Sequence, residues 1–290
     1  MKTSKLFLLF ALSISVATAQ TGPAAKAKQA PAATPTAPAP VASTTATGTP
    51  SDEFFEHFVL KHSDAPAPKG YGFSADAPIL VGAYEADLAN QQKVMHEVNR
   101  FLKTYLWADG TQIIFIDRKR VMINNNNVDK FRITKEGSKD TLTLYTDMYK
   151  SGPVAVPAGF IFYSKEKFAA DLAPICEQIK KFDAVPDKYG DEGAKAAGFQ
   201  LLGFMQTNVG IDYLMDQDML APLLNDVGLD LDLKAFLIRS YVFHKFLYEV
   251  TGEPDVKVKA FNFMVDDYQI AIKAHDIFAK GHLAETMVKK

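Results

Sequence analysis

The chain has 290 residues, of which 48% are hydrophobic and 23% are charged, with a formal net charge of −2 and an isoelectric point near 6.3. This length and apolar content suffice for one or two domains with a core, and the charge gives no electrostatic reason to expect a nucleic-acid partner. The single cysteine, Cys176, excludes an intramolecular disulfide.

The N-terminus is typical of a secretory signal peptide. Lys2 and Lys5 form a basic start, residues 6–16 are an apolar run too short to span a bilayer, and residues 17–19 form a small-residue cleavage site. We predict cleavage near Ala19, export to the periplasm or the extracellular space, and a net charge near −4 because two lysines are lost. No later run is apolar enough to predict a transmembrane segment in the mature chain.

Residues 20–51 consist mainly of alanine, proline, threonine and small polar residues. Such a segment buries too little apolar surface to offset the entropy of ordering it, so we predict a disordered, semi-extended tether. It is either a spacer that holds the folded part away from a surface or partner, or a tail without a role.

Residues 52–163 are predicted to form an α+β module. Its expected elements are a short phenylalanine-rich helix at 52–62, a strand at 79–81, an amphipathic helix at 84–106, a strand at 111–117, a hairpin loop at 124–127, a strand at 141–149 and a strand at 159–163. Short connections between strands predict a mainly antiparallel sheet. The strand at 111–117 is apolar on both faces, which favours a central position.

The strand at 141–149 alternates with period 2, as a half-buried strand does. One face carries Leu142, Leu144, Thr146 and Met148 and is expected to rest on a core. The other face aligns Tyr145, Asp147 and Tyr149, the candidate binding residues. If a helix covers this face, the three form a buried hydrogen-bonded cluster; if the face is open, they line a shallow groove suited to sugars or peptides.

Residues 164–290 are predicted to be helical and to share one core with the preceding module or to form their own. Ser164 and Asp191 are expected helix caps, and Pro174 is expected to kink or split the first helix. Residues 231–250 are apolar round most of the helix circumference, with Arg239 on the narrower polar side, which predicts the central helix. The last helix is predicted at 261–279.

Two stretches resemble a poorly characterised module of exported bacterial proteins, a domain of unknown function. Residues 70–82 contain Gly-Tyr-Gly-Phe-Ser followed by Pro-Ile-Leu-Val-Gly, residues 144–149 read Leu-Tyr-Thr-Asp-Met-Tyr, and residues 157–160 read Pro-Ala-Gly-Phe. Ala77 stands where relatives often have asparagine. The resemblance covers roughly residues 70–160 and implies export, but the module has no established activity to carry over.

We assign no metal site, no cofactor and no catalytic residue. His96 and Glu97 begin like a zinc-binding helix, but Arg100 occupies the position that requires a second histidine, so His96 is predicted to be solvated. His244 and His275 are predicted core histidines, with a functional role indicated only if they face each other. Cys176 is predicted to be a buried, inert thiol.

The leading interpretation is a non-enzymatic binding or assembly component of the bacterial envelope or extracellular space, with an unknown protein, peptide or glycan partner. One alternative is a hydrolase that uses Asp147 or a core histidine, which predicts a deep pocket collecting these groups. Another is a carrier that holds an apolar ligand in the helical half. A shallow groove or an aromatic patch would favour binding.

Overall fold

The computed structural model describes residues 48–83, 91–123 and 125–275. The predicted signal peptide, most of the predicted tether, and the ends of two predicted helices at 84–90 and 276–279 lie outside these ranges. The helices are α1 (Asp52–Phe58), α2 (Gln91–Thr104), α3 (Lys165–Asp183), α4 (Glu192–Asn208), α5 (Ile211–Leu214), α6 (Gln217–Asn225), α7 (Leu231–Thr251) and α8 (Val256–His275). The strands are β1 (Ile79–Leu80), β2 (Tyr105–Trp107), β3 (Ile114–Ile123), β4 (Asn126–Thr134), β5 (Leu142–Asp147) and β6 (Phe160–Phe162).

The fold is α+β, as predicted, with the sheets in the first part and helices throughout the second. Four strands form a sheet in the order β1-β5-β4-β3, in which β1 runs parallel to β5 and the other pairs are antiparallel. β2 and β6 form a separate antiparallel pair. The predicted asparagine hairpin joins β3 to β4, where Asn125 adopts a φ of 61° that asparagine tolerates better than most residues.

The predicted central position of the strand near residues 111–117 is wrong, because β3 lies at the edge of the sheet. Ile114, Phe115 and Ile116 are 42%, 45% and 38% exposed, and the pairing with β4 shifts register between Phe115 and Asp117. A strand's place in a sheet is decided by its long-range partners, and its own apolar composition does not reveal them.

The predicted helix at 84–106 ends two residues early. Tyr105 and Leu106 belong to β2, which pairs with β6. Tyr105 is fully buried, and its hydroxyl donates a hydrogen bond to the Ala155 carbonyl at 2.8 Å. The apolar residues at helical spacing are therefore shared between a helix and a strand, and Tyr105 and Leu106 belong to different buried clusters.

The buried apolar residues form two clusters. The sheet cluster packs α2 on one face of the sheet and includes Val98, Phe101, Phe131, Ile133 and Leu144. The helical cluster surrounds α7 and includes Phe236, Phe243, Phe246, Phe261 and Val265. Helix α1 joins the helical cluster through Phe54, Phe55 and Phe58, although it precedes the sheet in the chain. Chain order therefore does not separate the two clusters.

Two predicted helix starts are confirmed, whereas α1 ends at Phe58, before the predicted residue 62, and α8 begins at Val256, before the predicted residue 261. Ser164 and Asp191 accept hydrogen bonds from backbone amides of the first turns of α3 and α4, and Pro174 lies inside α3 without dividing it. Gly252 ends α7 in the left-handed conformation at φ 66°. Within the ranges that the structure describes, no helix combines the length and apolar character needed to cross a bilayer.

Candidate functional site

The predicted binding residues lie at the end of β5. The core face is as expected, since Leu144, Thr146 and Met148 are almost completely buried. Asp147 is the last residue of the strand and is 8% exposed; its Oδ1 accepts hydrogen bonds from the backbone amides of Tyr149 at 2.8 Å and Lys150 at 3.1 Å. This carboxylate therefore fixes the turn that ends the strand.

Each neighbouring phenol ring faces a cation. The Lys130 ammonium lies 5.3 Å from the ring centroid of Tyr145, and the Arg120 guanidinium lies 5.5 Å from that of Tyr149. Tyr145 and Tyr149 are half-buried, and neither they nor Asp147 lines any of the three pockets that the structure describes.

The largest of these three pockets has a volume of about 600 Å³ and opens between α1, α2 and the turn from α4 to α5. We call it the histidine pocket. Its central feature is the ring of His57, whose centroid lies 4.2 Å from that of Tyr213 and 4.6 Å from that of His96. The exposed amide side chains of Asn99, Gln206 and Asn208 contribute to its rim.

The backbone after α4 holds His57 in place. Nε2 of His57 lies 2.6 Å from the carbonyl oxygen of Val209, so this nitrogen carries the proton and donates it. Val209 is the C-cap of α4, and Gly210 follows it at φ 88°, a conformation that favours glycine. A Cβ at Gly210 would also lie 3.7 Å from Nε2. Glycine therefore lets the chain turn away after the carbonyl that binds the imidazole.

Burial makes both imidazoles poor bases. Desolvation lowers the pKa of His57 to about 4, against the opposing effect of its hydrogen bond to Val209, and His96, Arg100 and Lys103 lower it further. Burial and the same two cations also lower the pKa of His96. Both rings are therefore neutral at pH 7. The prediction of a solvated His96 is wrong, because that side chain is half-buried against His57.

Two cations on α2 flank the imidazoles. Arg100 binds Glu97 at 2.8 Å and donates a hydrogen bond to the Val59 carbonyl at 2.9 Å, which ties α2 to the end of α1. Lys103 forms no ion pair with any residue that the structure describes; its ammonium lies 5.4 Å from the centroid of the Phe58 ring. Desolvation lowers its pKa, although the residue as a whole is exposed.

The sequence contained one signal for this pocket. His96, Arg100 and Lys103 are spaced four and three residues apart, which places them on one face of α2. Their partner His57 comes from another helix, and Tyr213 lies about 110 residues further along the chain. Only the tertiary structure brings these side chains together.

His244 and His275 do not face each other. His244 is 1% exposed, and its two ring nitrogens lie 2.9 Å from Asp183 Oδ2 and 2.8 Å from the Ser240 carbonyl oxygen. His275 lies at the exposed end of α8, 2.8 Å from Asp187. The prediction of a core histidine is confirmed for His244 and wrong for His275, because the last turn of α8 extends past the apolar core.

His244 belongs to a buried ionic network between α3, α7 and α8. Asp267 accepts hydrogen bonds from the Ser240 hydroxyl at 2.6 Å and from the Lys188 ammonium at 2.7 Å. Lys188 also lies 3.5 Å from Asp183. Two carboxylates thus contact a buried lysine and a histidine, and the network joins three helices without lining any of the three pockets described.

The remaining candidate reactive side chains are either paired with another residue or buried. Glu97, from the incomplete zinc motif, pairs with Arg100. Cys176 is 4% exposed as predicted, and burial raises the pKa of its thiol to about 11. In the described ranges, no three or more histidine, cysteine, aspartate or glutamate side chains are grouped so that they could hold a metal ion.

Comparison with protein-family models, with curated proteins and with solved structures finds no match to this chain. The resemblance of residues 70–160 to an exported bacterial module therefore stays a prediction.

Proposed function

We propose that this protein is an exported, non-enzymatic binding component of the bacterial envelope or extracellular space, and that it binds its ligand in the histidine pocket. The N-terminal pattern supports export and cleavage near Ala19, with residues 20–51 serving as a spacer. The partner is a peptide, protein or glycan that presents a group able to enter a pocket of this size.

The observation that carries the proposal is the stack of His57 on Tyr213 and His96 beside the ammonium of Lys103, which has no ion-pair partner within the described ranges. Neutral imidazole and phenol rings offer flat surfaces for stacking, and the ammonium attracts negative charge. The favoured ligand therefore combines a flat ring with an acidic group. Nε2 of His57 is occupied by a backbone carbonyl, which favours recognition over proton transfer.

The alternatives have less support. A hydrolase would need Asp147 or a core histidine to be free to react. Asp147 instead accepts hydrogen bonds from two backbone amides, and His244 is enclosed in an ionic network. For a carrier of apolar ligands, the aromatic side chains around α7 pack against one another, and the described pocket in the helical half is lined in part by the charged side chains of Lys195, Asp232 and Arg239. No observation in the described ranges specifically favours either alternative.

Binding is tested by titrating the isotope-labelled protein with aromatic carboxylates and with their neutral amides, and following backbone amide signals by NMR. We expect the carboxylates to shift signals from residues 95–103 and 206–213, and the amides to bind at least several-fold more weakly. Lys103→Gln should remove this difference, whereas Lys180→Gln, an exposed lysine on α3, should preserve it. Equal binding of acids and amides to the unsubstituted protein would contradict the proposed role of Lys103.

Export is tested separately, by N-terminal sequencing of the protein recovered outside the cytoplasm. The expected first residue is Gln20. Recovery of only the uncleaved chain from the cytoplasm would overturn this part of the proposal and leave the binding experiment unaffected.

A further inference from the structure

A second pocket lies at the other end of α4. It has a volume of about 380 Å³, and its lining includes Tyr189, Lys195, Phe199, Arg239 and His275. On α4, Lys195 lines this pocket and Gln206 lines the histidine pocket. The two residues are eleven positions apart, which corresponds to roughly 16 Å along a helix. We call this second site the arginine pocket.

Arg239 is the unusual residue of this pocket. Placed by the sequence on the polar side of α7, it is instead only 5% exposed. Its Nε and Nη1 atoms are buried without a hydrogen-bond partner, and no carboxylate in the described ranges forms an ion pair with it. Native proteins rarely leave a buried guanidinium unpaired, because its lost hydration is not replaced.

Two residues of α4 pack closely on the guanidinium, and Arg239 is part of the pocket lining. Gly198 on α4 leaves room for it, since a Cβ there would lie 3.7 Å from Nη1. The ring of Phe199, which is 53% exposed, has its centroid 4.5 Å from the guanidinium carbon. One face of the arginine is therefore covered by an aromatic ring, while Nε and Nη1 have no hydrogen-bond partner among the residues that the structure describes.

The other basic side chains of the pocket already have carboxylate partners. Lys195 binds Glu192 at 2.7 Å, and His275 lies 2.8 Å from Asp187. Asp232 also lines the pocket and contributes a negative charge without forming an ion pair with Arg239. Arg239 is thus the cation that remains for a ligand, and the nearby carboxylate disfavours ligands with several negative charges.

We propose that the arginine pocket binds the oxyanion of a small ligand, with Arg239 as the group that pairs with it. Guanidinium groups bind carboxylate and phosphate oxygens through charge-assisted hydrogen bonds. A ligand oxyanion would therefore supply the hydrogen-bond acceptors that Nε and Nη1 of Arg239 lack among the described residues. Tyr189 and Phe199 provide apolar surface for a ligand body, and the volume is at the small end of the range for ligand pockets. A monocarboxylate with an apolar body fits these features best. This site is independent of the histidine pocket.

The test uses isothermal titration and thermal unfolding of the purified protein with benzoate, with inorganic phosphate and with benzamide as the neutral control. We expect benzoate to bind and to raise the melting temperature with increasing concentration, and benzamide to do neither. Phosphate binding of similar strength would support an oxyanion site whose source is free phosphate. Binding of neither anion would overturn the proposal.

Variants locate the site. Arg239→Met should abolish benzoate binding while the ligand-free melting temperature stays equal or rises, because an unpaired buried charge has been removed. Arg132→Met, which changes an exposed arginine on β4, should bind like the unsubstituted protein. Phe199→Ala, at an exposed position that folding tolerates, should weaken benzoate binding about tenfold and phosphate binding less. Unchanged benzoate binding in both Arg239→Met and Phe199→Ala would place the ligand elsewhere and overturn the proposal.

Discussion

At the scale of single residues, burial changes the chemistry of several titratable groups. His57 is kept neutral by desolvation, and Cys176 is kept protonated for the same reason. His57 is hydrogen-bonded to the Val209 carbonyl and the Cys176 thiol lies in an apolar cluster, so among the described residues neither has the side-chain hydrogen-bond partner that activates a catalytic base or nucleophile.

The lowered pKa of His57 makes stability depend on pH. Between pH 6.5 and about 4 the unfolded chain binds a proton at this residue that the folded chain does not, so stability is fully present above pH 6.5 and is lost as the pH falls. We expect His57→Gln to reduce the loss of unfolding free energy over this window by about 2 kcal/mol, consistent with the size of the shift. Urea unfolding at pH 7 and pH 4.5 measures the difference.

The control for this measurement is Gln206→Ala, which alters the same pocket without a titratable group. It should leave the pH dependence unchanged. An identical pH dependence in His57→Gln and the unsubstituted protein would contradict the lowered pKa.

Cys176 is expected to be unreactive in the folded protein. Its thiol is buried in the helical cluster, so reagents reach it poorly, and its pKa is raised to about 11, so little thiolate is present at pH 8. A chromogenic disulfide reagent should label it at least a hundredfold more slowly in buffer than in guanidinium chloride. Rapid labelling of the native protein would show that this part of α3 opens readily.

At the scale of elements, α7 organises the helical part. It is the most buried helix described, with contacts to α3, α4, α5, α6 and α8. It nevertheless buries several polar side chains: Ser240 and His244 are held in the ionic network, Lys245 donates a hydrogen bond to the Tyr213 carbonyl, and Arg239 lines the arginine pocket. The network gives α3, α7 and α8 a defined relative position, since each charged side chain has its partner on another element.

Breaking this network is expected to be costly. Asp267→Asn leaves Lys188 buried with its nearest carboxylate, on Asp183, 3.5 Å away. We expect a loss of about 3 kcal/mol in unfolding free energy, because removing the Asp267 carboxylate leaves the Lys188 ammonium buried without its closest ion-pair partner. Urea unfolding at pH 7 provides the measurement. Glu177→Gln, which removes an exposed partner of Lys180 on α3, should leave the midpoint unchanged; equal midpoints for both variants would contradict a stabilising network.

At the scale of the whole molecule, α1 links the two parts of the fold. Phe54 is fully buried and contacts Phe58, Phe168, Tyr213 and Phe246. The chain then returns through α2, whose Arg100 binds the end of α1 and whose apolar face rests on the sheet. The histidine pocket lies at this junction and depends on it for its shape.

Phe54→Ala therefore tests whether the helical part needs α1. We expect a loss of about 3–5 kcal/mol, the usual cost of a phenylalanine cavity in a core, observed as a lower midpoint for the helical signal in circular dichroism. The control is Val227→Ala at a fully exposed position, which should not move the midpoint. An unchanged midpoint in Phe54→Ala would mean that the helices fold without α1.

Short-range patterns along the chain predict the local features of this fold. Helix caps at Ser164 and Asp191, the asparagine hairpin, the core face of β5 and the apolar α7 follow from short-range chemistry, in which each residue acts on neighbours a few positions away. The α+β class also followed, because patterns of period 2 and period 3.6 occupy different parts of the chain.

Contacts between distant residues follow instead from the packed fold. It placed β3 at an edge, turned Tyr105 into a strand residue, buried Arg239 and assembled His57, His96 and Tyr213 into one pocket. The predicted row of Tyr145, Asp147 and Tyr149 depended on the strand continuing, and the strand instead ends at Asp147. Contacts between distant segments depend on the packing of the whole chain, and the pattern of any one segment does not encode its partners.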